Sequence, residues 1–355
     1  MRTRVAVLAA AGAVVLGCGS AGAAPAAPSR LPAGGSIVGA LEGAPSAAFL
    51  ARVRAGELGG VILVGRSWTP SAMATTTARL QRAACAAGSP LLIGVDQEGG
   101  VVRRLPWAAP FDSAAALGAA ADPDRVEAEA ADAAAALHSV GVDVDFAPVA
   151  DVRSPASAWL GSRSFSSNPA VVTALVPRFV DGLQESGIAS TAKHFPGLGD
   201  APANTDDGVV VVHARAAALR RDLAPFRAAI GAGVQLVMIS SAAYPALDRS
   251  GTPAMFSRPI VTGLLRRQLG FRGVVVTDAL DAPAAARTPH APSRAIAAGV
   301  DLLLYTSESA SEAGYASLAA DAAASPALRS RLQAASTRIT ALKRWLAARG
   351  GPACG

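Results

Sequence analysis

Charged or titratable side chains stand at the ends of several short apolar runs of this sequence, where neighbouring residues are expected to be buried. Asp278 and Asp96 each directly follow a short, mostly apolar run, and Lys193 and His194 lie at the end of another. A charged group in such a place costs desolvation free energy unless it has a partner or a task. A structural ion pair explains any one of them. Several together indicate a site where a carboxylate could act as a nucleophile or carry a proton.

Lys193 is informative because the chain otherwise uses arginine. The only other lysine is Lys343. A lysine at a strand end indicates a need for a compact point charge rather than a planar guanidinium, although chance usage is the alternative. His194 alone could be a buried core histidine, but its position beside Lys193 and ahead of Phe195-Pro196-Gly197 favours a site.

These residues require elements that bring them together. Eight short apolar runs alternate with alanine-rich helical stretches, which is typical of parallel strands buried on both faces. The sequence therefore predicts a single-domain α/β fold, a (β/α)8 TIM barrel, in which the carboxyl ends of the strands meet at one face. A doubly wound parallel sheet is the alternative. The fourth run is interrupted by two aspartates. The predicted strands are Ser36–Leu41, Val61–Val64, Leu91–Val95, Val142–Phe146, Ser190–Phe195, Gln235–Ser240, Val274–Thr277 and Asp301–Tyr305.

Helix starts are marked by a capping residue close to a proline. Proline is tolerated in the first helical turn, where its missing N–H has no intrahelical acceptor. Five such helices are predicted, over residues 71–86, 123–139, 169–186, 259–270 and 326–349.

Five segments, taken in order, resemble the hallmark motifs of glycoside hydrolase family 3, and the branch that they resemble most is the bacterial β-N-acetylglucosaminidases that act on peptidoglycan fragments. The resemblance covers about residues 36–345. It implies a (β/α)8 barrel, a retaining mechanism, a carbohydrate substrate and no metal or other cofactor. The segments are Leu92–Gly100, Asp143–Val152, Arg163–Phe165, Lys193–Gly197 and Gly273–Leu280.

The resemblance also assigns residue roles. Asp278 matches the family's nucleophile, which forms a glycosyl-enzyme. Asp281 and Glu98 are the alternatives for that attack. Asp96 matches a residue that accepts hydrogen bonds from sugar hydroxyls. The other matching sugar-binding positions are Arg104, Arg163, Lys193 and His194.

One part of the family pattern is missing. The matching branch carries an Asp-x-His pair in the loop after the Lys-His motif, and that histidine is its general acid/base. The corresponding residues here are Asn204, Thr205 and Asp206. Asp206 is the candidate replacement, because repulsion from neighbouring Asp207 would favour its protonated form; Asp207 itself and Asp200 are weaker candidates. The alternative is an ordinary solvated turn.

Three functions remain open from the sequence. The first is a retaining exo-β-glycosidase, a β-N-acetylhexosaminidase that acts on cell-wall or chitin-derived sugars. The second is a sugar-binding lipoprotein with little or no catalysis, which the altered loop favours. The third is a β-glucosidase of the same family.

The overall charge and the absent motifs exclude other classes. The formal net charge is +6, but the basic residues are spread along the chain, which is typical of a solvated surface and not of a nucleic-acid footprint. The sequence has no CxxC, HExxH, phosphate-loop or GxSxG motif. Metal, nucleotide and serine-hydrolase sites therefore have no support, and we expect a monomer.

The N-terminus has the pattern of an export signal. Basic residues precede an apolar stretch in residues 1–17 that is too short to span a membrane. The stretch ends at Cys18 in a sequence that resembles a lipobox, and residues 18–35 are typical of a flexible tether. The prediction is a membrane lipoprotein facing outward, or a secreted protein if Cys18 is incidental. The catalytic domain then covers residues 36–350, and residues 351–355 form a tail.

Lipidation of Cys18 would leave two cysteines in an oxidising compartment. Cys85 lies at the end of a predicted helix, and Cys354 follows the last helix, which in a barrel returns beside the first ones. We expect a disulfide between Cys85 and Cys354 that holds the tail against the barrel. Two free thiols are the alternative.

A Cys18→Ala variant tests the anchor. If Cys18 carries lipid, its loss removes the buried hydrocarbon that holds the protein at the membrane. We therefore expect the variant to move from the membrane fraction to the soluble fraction of the producing cells, measured by immunoblotting after ultracentrifugation. Unchanged partitioning would contradict lipidation.

Overall fold

Eight parallel strands close into a barrel around an apolar centre, as the sequence predicts. The computed structural model describes residues 33–354. Each strand pairs with its neighbour in chain order, β8 returns to β1 through Ile37 and Leu303, and a bridge from Val276 to Leu302 joins β7 to the start of β8. The strands are β1 (Ile37–Leu41), β2 (Gly60–Leu63), β3 (Leu92–Val95), β4 (Val144–Asp145), β5 (Ala189–Phe195), β6 (Leu236–Ile239), β7 (Val274–Thr277) and β8 (Leu303–Leu304).

Alternate strand residues face two separate apolar layers. In β1, Val38 and Ala40 belong to the cluster inside the barrel, whereas Ile37 and Leu41 belong to the cluster under the outer helices. Both faces are buried because helices cover the outside, which explains why the strands are continuous apolar runs.

Helices surround the barrel and begin at the predicted capping residues. Thr69 and Asn168 accept hydrogen bonds from backbone N–H groups of the first turns of α2 and α5, each of which has proline at its first position. The helices are α1 (Ala47–Arg54), α2 (Pro70–Ala86), α3 (Ala114–Ala120), α4 (Pro123–Ser139), α5 (Pro169–Glu185), α6 (Ala216–Gly231), α7 (Pro283–Ala286), α8 (Ala291–Ala298), α9 (Glu308–Ala324) and α10 (Pro326–Ala347), with 3₁₀ segments at Gly34–Ser36, Pro155–Arg163 and Ala254–Phe256.

The helix expected over residues 259–270 has a different hydrogen-bond pattern. Pro259–Gln268 forms a π-helix, and Leu269 N–H continues the wider turn by donating to the Leu264 carbonyl. Its buried face carries apolar side chains as expected, while Arg266 reaches inward to an ion pair with the fully buried Asp301.

The two aspartates in the fourth run, Asp143 and Asp145, accept hydrogen bonds from backbone N–H groups of β3 and of the segment just after it. Asp143 Oδ2 accepts a hydrogen bond from Ile93 N–H at 3.1 Å, and Asp145 Oδ1 accepts one from Gln97 N–H at 2.9 Å. Burial raises the pKa of each carboxyl to about 8. The carboxyls are therefore largely neutral at pH 7 and can interrupt an apolar strand at a lower desolvation cost.

The last helix closes the amino-terminal end of the barrel. Ile339, Leu342 and Leu346 of α10 belong to the same cluster as the interior strand residues. Catalytic groups at the opposite end therefore have a packed core beneath them, and not a pore.

A disulfide joins the C-terminal tail to α2. Cys85 and Cys354 are bonded, with their Cα atoms 5.2 Å apart. The predicted signal segment, Cys18 and most of the tether lie outside the described residues. Within residues 33–354, no helix has the length and apolar character needed to cross a membrane.

Cys354→Ser should lower the free energy of unfolding by about 2–4 kcal/mol, because the bond closes a loop with a sequence separation of 269 residues. Urea unfolding measures the loss. A Cys85→Ser, Cys354→Ser double variant should lose the same amount as either single variant, since the bond is already absent in each. Labelling of free thiols at both positions in denatured, unreduced wild-type protein would contradict the bond.

Candidate active site

A cluster of titratable residues lines a cavity at the carboxyl ends of the strands. The cavity volume is about 470 Å³, which falls within the size range of small-molecule sites. All the sequence-predicted sugar-binding and catalytic residues line it, together with other polar and apolar groups. The titratable lining residues are Asp96, Glu98, Arg104, Arg163, Lys193, His194, Asp206, Asp278 and Asp281.

Lys193 bridges two carboxylates at the base of the cavity. It extends from β5, and its Nζ lies 2.7 Å from Asp96 Oδ1 and 2.8 Å from Glu98 Oε1. The side chain is 3% exposed. Burial disfavours the ammonium charge, but the Asp96 and Glu98 charges outweigh that effect and raise the pKa of Lys193. The lysine is thus a fixed cation, and the geometry fits the compact charge expected from its use in an arginine-rich chain.

Glu98 is held by two cations. Arg163 binds it in a bidentate manner, with Nε 2.8 Å from Oε2 and Nη2 2.7 Å from Oε1. Burial opposes ionisation of Glu98, but the charges of Lys193 and Arg163 hold its pKa well below its usual range. Glu98 is therefore an ionised group whose oxygens are already bound, which makes it a poor nucleophile.

Asp96 keeps accepting capacity towards the cavity. One oxygen contacts Lys193, and the other lies 3.7 Å from Arg104 Nη2. The buried side chain of Gln97 positions the arginine, because its Oε1 accepts the Arg104 N–H at 3.0 Å. A carboxylate flanked by two cations, all partly open to a cavity, can hold vicinal hydroxyl groups.

His194 is oriented by a carboxylate that the sequence analysis did not single out. Its Nδ1 lies 2.8 Å from Asp151 Oδ2. The other oxygen of Asp151 accepts the Leu198 N–H at 2.7 Å. Asp151 is fully buried below the ring. The Asp151 contact leaves the Nε2 edge of His194 for the cavity, and it also fixes the start of the loop that follows β5.

Asp278 stands at the end of β7 with its carboxylate available. Its Oδ1 accepts the Ala279 N–H at 2.8 Å, and the side chain is partly exposed to the cavity. Burial raises the pKa of Asp278; the charge of His194 opposes this effect and that of Asp206 adds to it. No ion pair engages Asp278 within residues 33–354, in contrast to Asp96 and Glu98. It therefore has the geometry of a group that can attack.

Asp281, the other alternative nucleophile, has a structural contact. Its Oδ1 and Oδ2 accept the Thr306 N–H at 2.9 and 3.1 Å, and Oδ2 also accepts the Ser307 hydroxyl. Ser307 in turn caps α9. These bonds explain Asp281 as a support of the strand-to-helix connection after β8.

The altered loop places Asp206 at the cavity. Asp206 lines the cavity and is exposed, and Asn204 contacts it twice, through Oδ1 to the Asp206 N–H at 3.2 Å and through Nδ2 to Oδ2 at 3.4 Å. Of the weaker candidates, Asp200 pairs with Arg221 at 3.2 Å, and Asp207 is exposed outside the cavity lining. Of these three, only Asp206 lines the cavity that Asp278 also lines.

Two further residues of the site escaped the sequence analysis as individuals. Asp151 lies in the Asp143–Val152 motif, but only the fold places it next to His194. Trp159 lines the cavity beside the Asp206 loop, and an aromatic residue in a segment without regular periodicity gave no signal. As for metals, residues 33–354 contain no cluster of three or more His, Cys, Asp or Glu arranged to hold an ion.

The sequence matches known proteins over most of its length. Residues 36–342 match the model described as the N-terminal domain of glycosyl hydrolase family 3. Over 269 residues the chain is 36% identical to a protein of Arthroderma benhamiae named as an uncharacterized secreted glycosyl hydrolase, a match that covers 72% of this chain and 76% of that protein.

Solved structures share the fold. A family 3 β-N-acetylglucosaminidase from Paenibacillus sp. superposes with a TM-score of 0.85 at 32% identity; the match covers 92% of this chain but only 64% of that one. A β-N-acetylhexosaminidase from Beutenbergia cavernae gives a TM-score of 0.81 at 34% identity, with 89% of this chain and 98% of the other covered.

Glu98→Gln should destabilise the protein by roughly 3–5 kcal/mol at pH 7, because it leaves buried Lys193 and Arg163 with one anion fewer. Denaturant unfolding at several pH values measures this. Because the pKa of Glu98 is lowered in the folded protein, its contribution to the free energy of unfolding is fully present above the unfolded-state pKa of 4.5. That contribution is lost progressively as the pH falls below this value. The deficit of the variant should therefore shrink below about pH 4.5.

The matched control is Asp112→Asn, which breaks the exposed ion pair with Arg125. We expect it to cost less than about 1 kcal/mol. Equal losses in the two variants would contradict the special role of the buried cluster.

Proposed function

We propose that this chain, which belongs to glycosyl hydrolase family 3, is a retaining exo-β-N-acetylhexosaminidase. It is a glycoside hydrolase and acts on a carbohydrate; the finer assignment rests on its site and on its likeness to the two named structures. Its substrates are oligosaccharides of the cell wall or of chitin, from which it removes the terminal N-acetylglucosamine.

The observation that carries the proposal is that the carboxylate of Asp278 faces the cavity without an ion-pair partner among the described residues. Three carboxylates considered for the attack line one cavity, and two of them are engaged, Glu98 with Arg163 and Lys193 and Asp281 with the backbone after β8. Asp278 alone of these three projects from a rigid strand end without such a partner. A nucleophile on a strand is held more precisely than one on a loop.

In the first step Asp278 attacks the anomeric carbon. A bond forms between its carboxylate oxygen and that carbon as the glycosidic C–O bond breaks. The electron pair leaves with the glycosidic oxygen, which takes a proton from Asp206. The products are a glycosyl ester of Asp278 and the released alcohol or sugar.

In the second step the same two carboxyl groups act in reverse. Asp206, now ionised, takes a proton from water, whose oxygen attacks the anomeric carbon. The ester C–O bond breaks and its electrons return to Asp278. Two inversions give a product with the configuration of the substrate.

Asp278 and Asp206 line one cavity from separate segments of the chain. Two carboxyl groups in one cavity repel each other when both are ionised, so the pair retains a proton more easily than either group alone. Burial raises the pKa of Asp278, the charge of Asp206 adds to that rise, and the charges of His194 and Lys193 oppose it. We assign the attack to Asp278 because it stands at a strand end, and the acid role to Asp206 because it lines the same cavity from the loop after β5.

We also propose that the protein is exported and held at the membrane through Cys18. Export agrees with the name of the fungal relative as secreted and with the basic and apolar pattern of residues 1–17. We further propose that the protein is a monomer.

Asp278→Asn should abolish turnover of an aryl β-N-acetylglucosaminide, lowering kcat by roughly 10³-fold or more while sugar binding persists. Steady-state kinetics and product titration by calorimetry measure the two effects. If the variant keeps about a tenth of the activity, the loss has the size of one hydrogen bond and Asp278 only binds sugar. Asp281→Asn is the matched control and should change kcat less than about tenfold. Lack of turnover by the wild type, with sugar still bound, would favour the binding lipoprotein.

Asp206→Ala should slow the hydrolysis of N,N′-diacetylchitobiose by about 10²- to 10⁴-fold, because the sugar that leaves needs a proton. The leaving group of a dinitrophenyl glycoside needs no proton, so the first step should stay fast while hydrolysis of the glycosyl-enzyme is slow, and dinitrophenol should appear in a burst. Azide attacks the glycosyl-enzyme without a general base, so it should restore turnover and give a β-glycosyl azide as product. Asp207→Ala is the matched control and should behave as wild type. Equal slowing of both substrates by Asp206→Ala would remove Asp206 from the acid role.

A further inference from the structure

We propose that Trp159 is a positioning residue for acid/base catalysis, and that its indole N–H holds the arm that carries Asp206 at the cavity. The arm is defined here as residues 197–207. The inference rests on the proposed function, because it assigns a support to the proposed acid. It extends that function to a residue from a different segment of the chain.

The 3₁₀ segment after β4 is bound to the arm by three hydrogen bonds. Ser154 N–H and the Ser157 hydroxyl both donate to the Gly199 carbonyl, at 3.1 and 2.6 Å. Trp159 Nε1–H donates to the Ala201 carbonyl at 2.9 Å. The start of the segment is held by a reciprocal capping box between Ser154 and Ser157.

The base of the arm is fixed without Trp159. Leu198 N–H is bound to Asp151, and the Tyr244 hydroxyl donates to the Gly197 carbonyl at 3.0 Å. Gly199 packs so closely that a Cβ atom there would lie 2.2 Å from the Val152 carbonyl oxygen. Loss of the indole N–H should therefore leave the fold and the base of the arm in place.

The Trp159 bond acts on the outer half of the arm. Ala201 is fully buried, and beyond it the chain is held again where Val210 O accepts the Ala243 N–H at 2.9 Å. Asp206 lies between these two points, exposed and supported locally by Asn204. The Ala201 anchor, together with the buried Thr205 next to Asp206, thus limits how far the carboxyl group can move from Asp278.

The indole ring has a second contact with the site. It lines the cavity together with Thr205 and Asp206, and the same segment ends at Arg163, which grips Glu98. A change of Trp159 to phenylalanine keeps an aromatic wall and leaves the Arg163 clamp untouched. It removes the N–H donor together with part of the ring volume, and the KM values report the effect of the lost volume on binding.

Trp159→Phe should lower kcat for N,N′-diacetylchitobiose about ten- to a hundredfold, since a small misplacement of a catalytic group is costly. The rate of dinitrophenol release in the burst should change less than about threefold, because that step needs no proton. KM for both substrates should stay within about threefold. Azide should partly restore the slow second step, as it does for Asp206→Ala. Trp345→Phe is the matched control, a tryptophan on α10 at the opposite end of the barrel, and should match wild type.

Two results would overturn the inference. Equal slowing of both substrates would give Trp159 a general structural or binding role, and no slowing of either would give it none. Asp206→Ala separates the two proposals. If Asp206→Ala shows the leaving-group dependence and Trp159→Phe does not, only the positioning role fails; if Asp206→Ala lacks it, the assignment of the acid fails and this inference fails with it.

Discussion

Glu98, Lys193 and Arg163 form an ion cluster in which no member can be removed without leaving a charge in a poorly solvated place. Burying such charges costs several kcal/mol for each ion, and close contacts repay that cost only when the geometry is good. The distances of 2.7 and 2.8 Å meet this condition. The cluster joins the segment after β3, the end of β5 and the segment after β4, so it fixes the relative positions of three parts of the cavity.

The rest of the site divides according to how it is held. Asp96 and His194 depend on the cluster or on Asp151 for their orientation, and Asp278 depends on a strand end. Asp206 is different, because it is exposed on an arm that the barrel strands do not include. A nucleophile on a strand end and an acid on a separate, exposed arm fit the two-step chemistry, since the acid must first face a leaving group and then a water molecule.

Asp206 stands where the matching branch of the family has a histidine, and this difference changes the electrostatics of the Asp206 and Asp278 pair. A neutral histidine beside Asp278 would leave the nucleophile's carboxylate without a like charge, whereas Asp206 contributes to the rise in the pKa of Asp278. Burial makes the largest contribution to that rise, and the charges of His194 and Lys193 oppose it without reversing it. The support of the acid also differs, because Asn204 and Trp159 bind the arm through amide and indole groups and not through a second carboxylate.

The sequence by itself determined the barrel, the strand ends that carry the site and the family. Apolar runs of four to six residues and proline-marked helix starts are local signals, and they are strong because burial on both faces and capping act within a few residues. It did not determine the π-helix at Pro259–Gln268, which hydrogen-bond spacing alone distinguishes from an α-helix. Only the tertiary structure decided which carboxylate is free. Asp278, Glu98 and Asp281 are all carboxylic acids within a few residues of a strand end. Their difference lies in partners 25 or more residues away, as in the 65-residue separation of Arg163 from Glu98 and the 25 of Thr306 from Asp281. Such contacts form through space, so the spacing of residues along the chain carries no record of them.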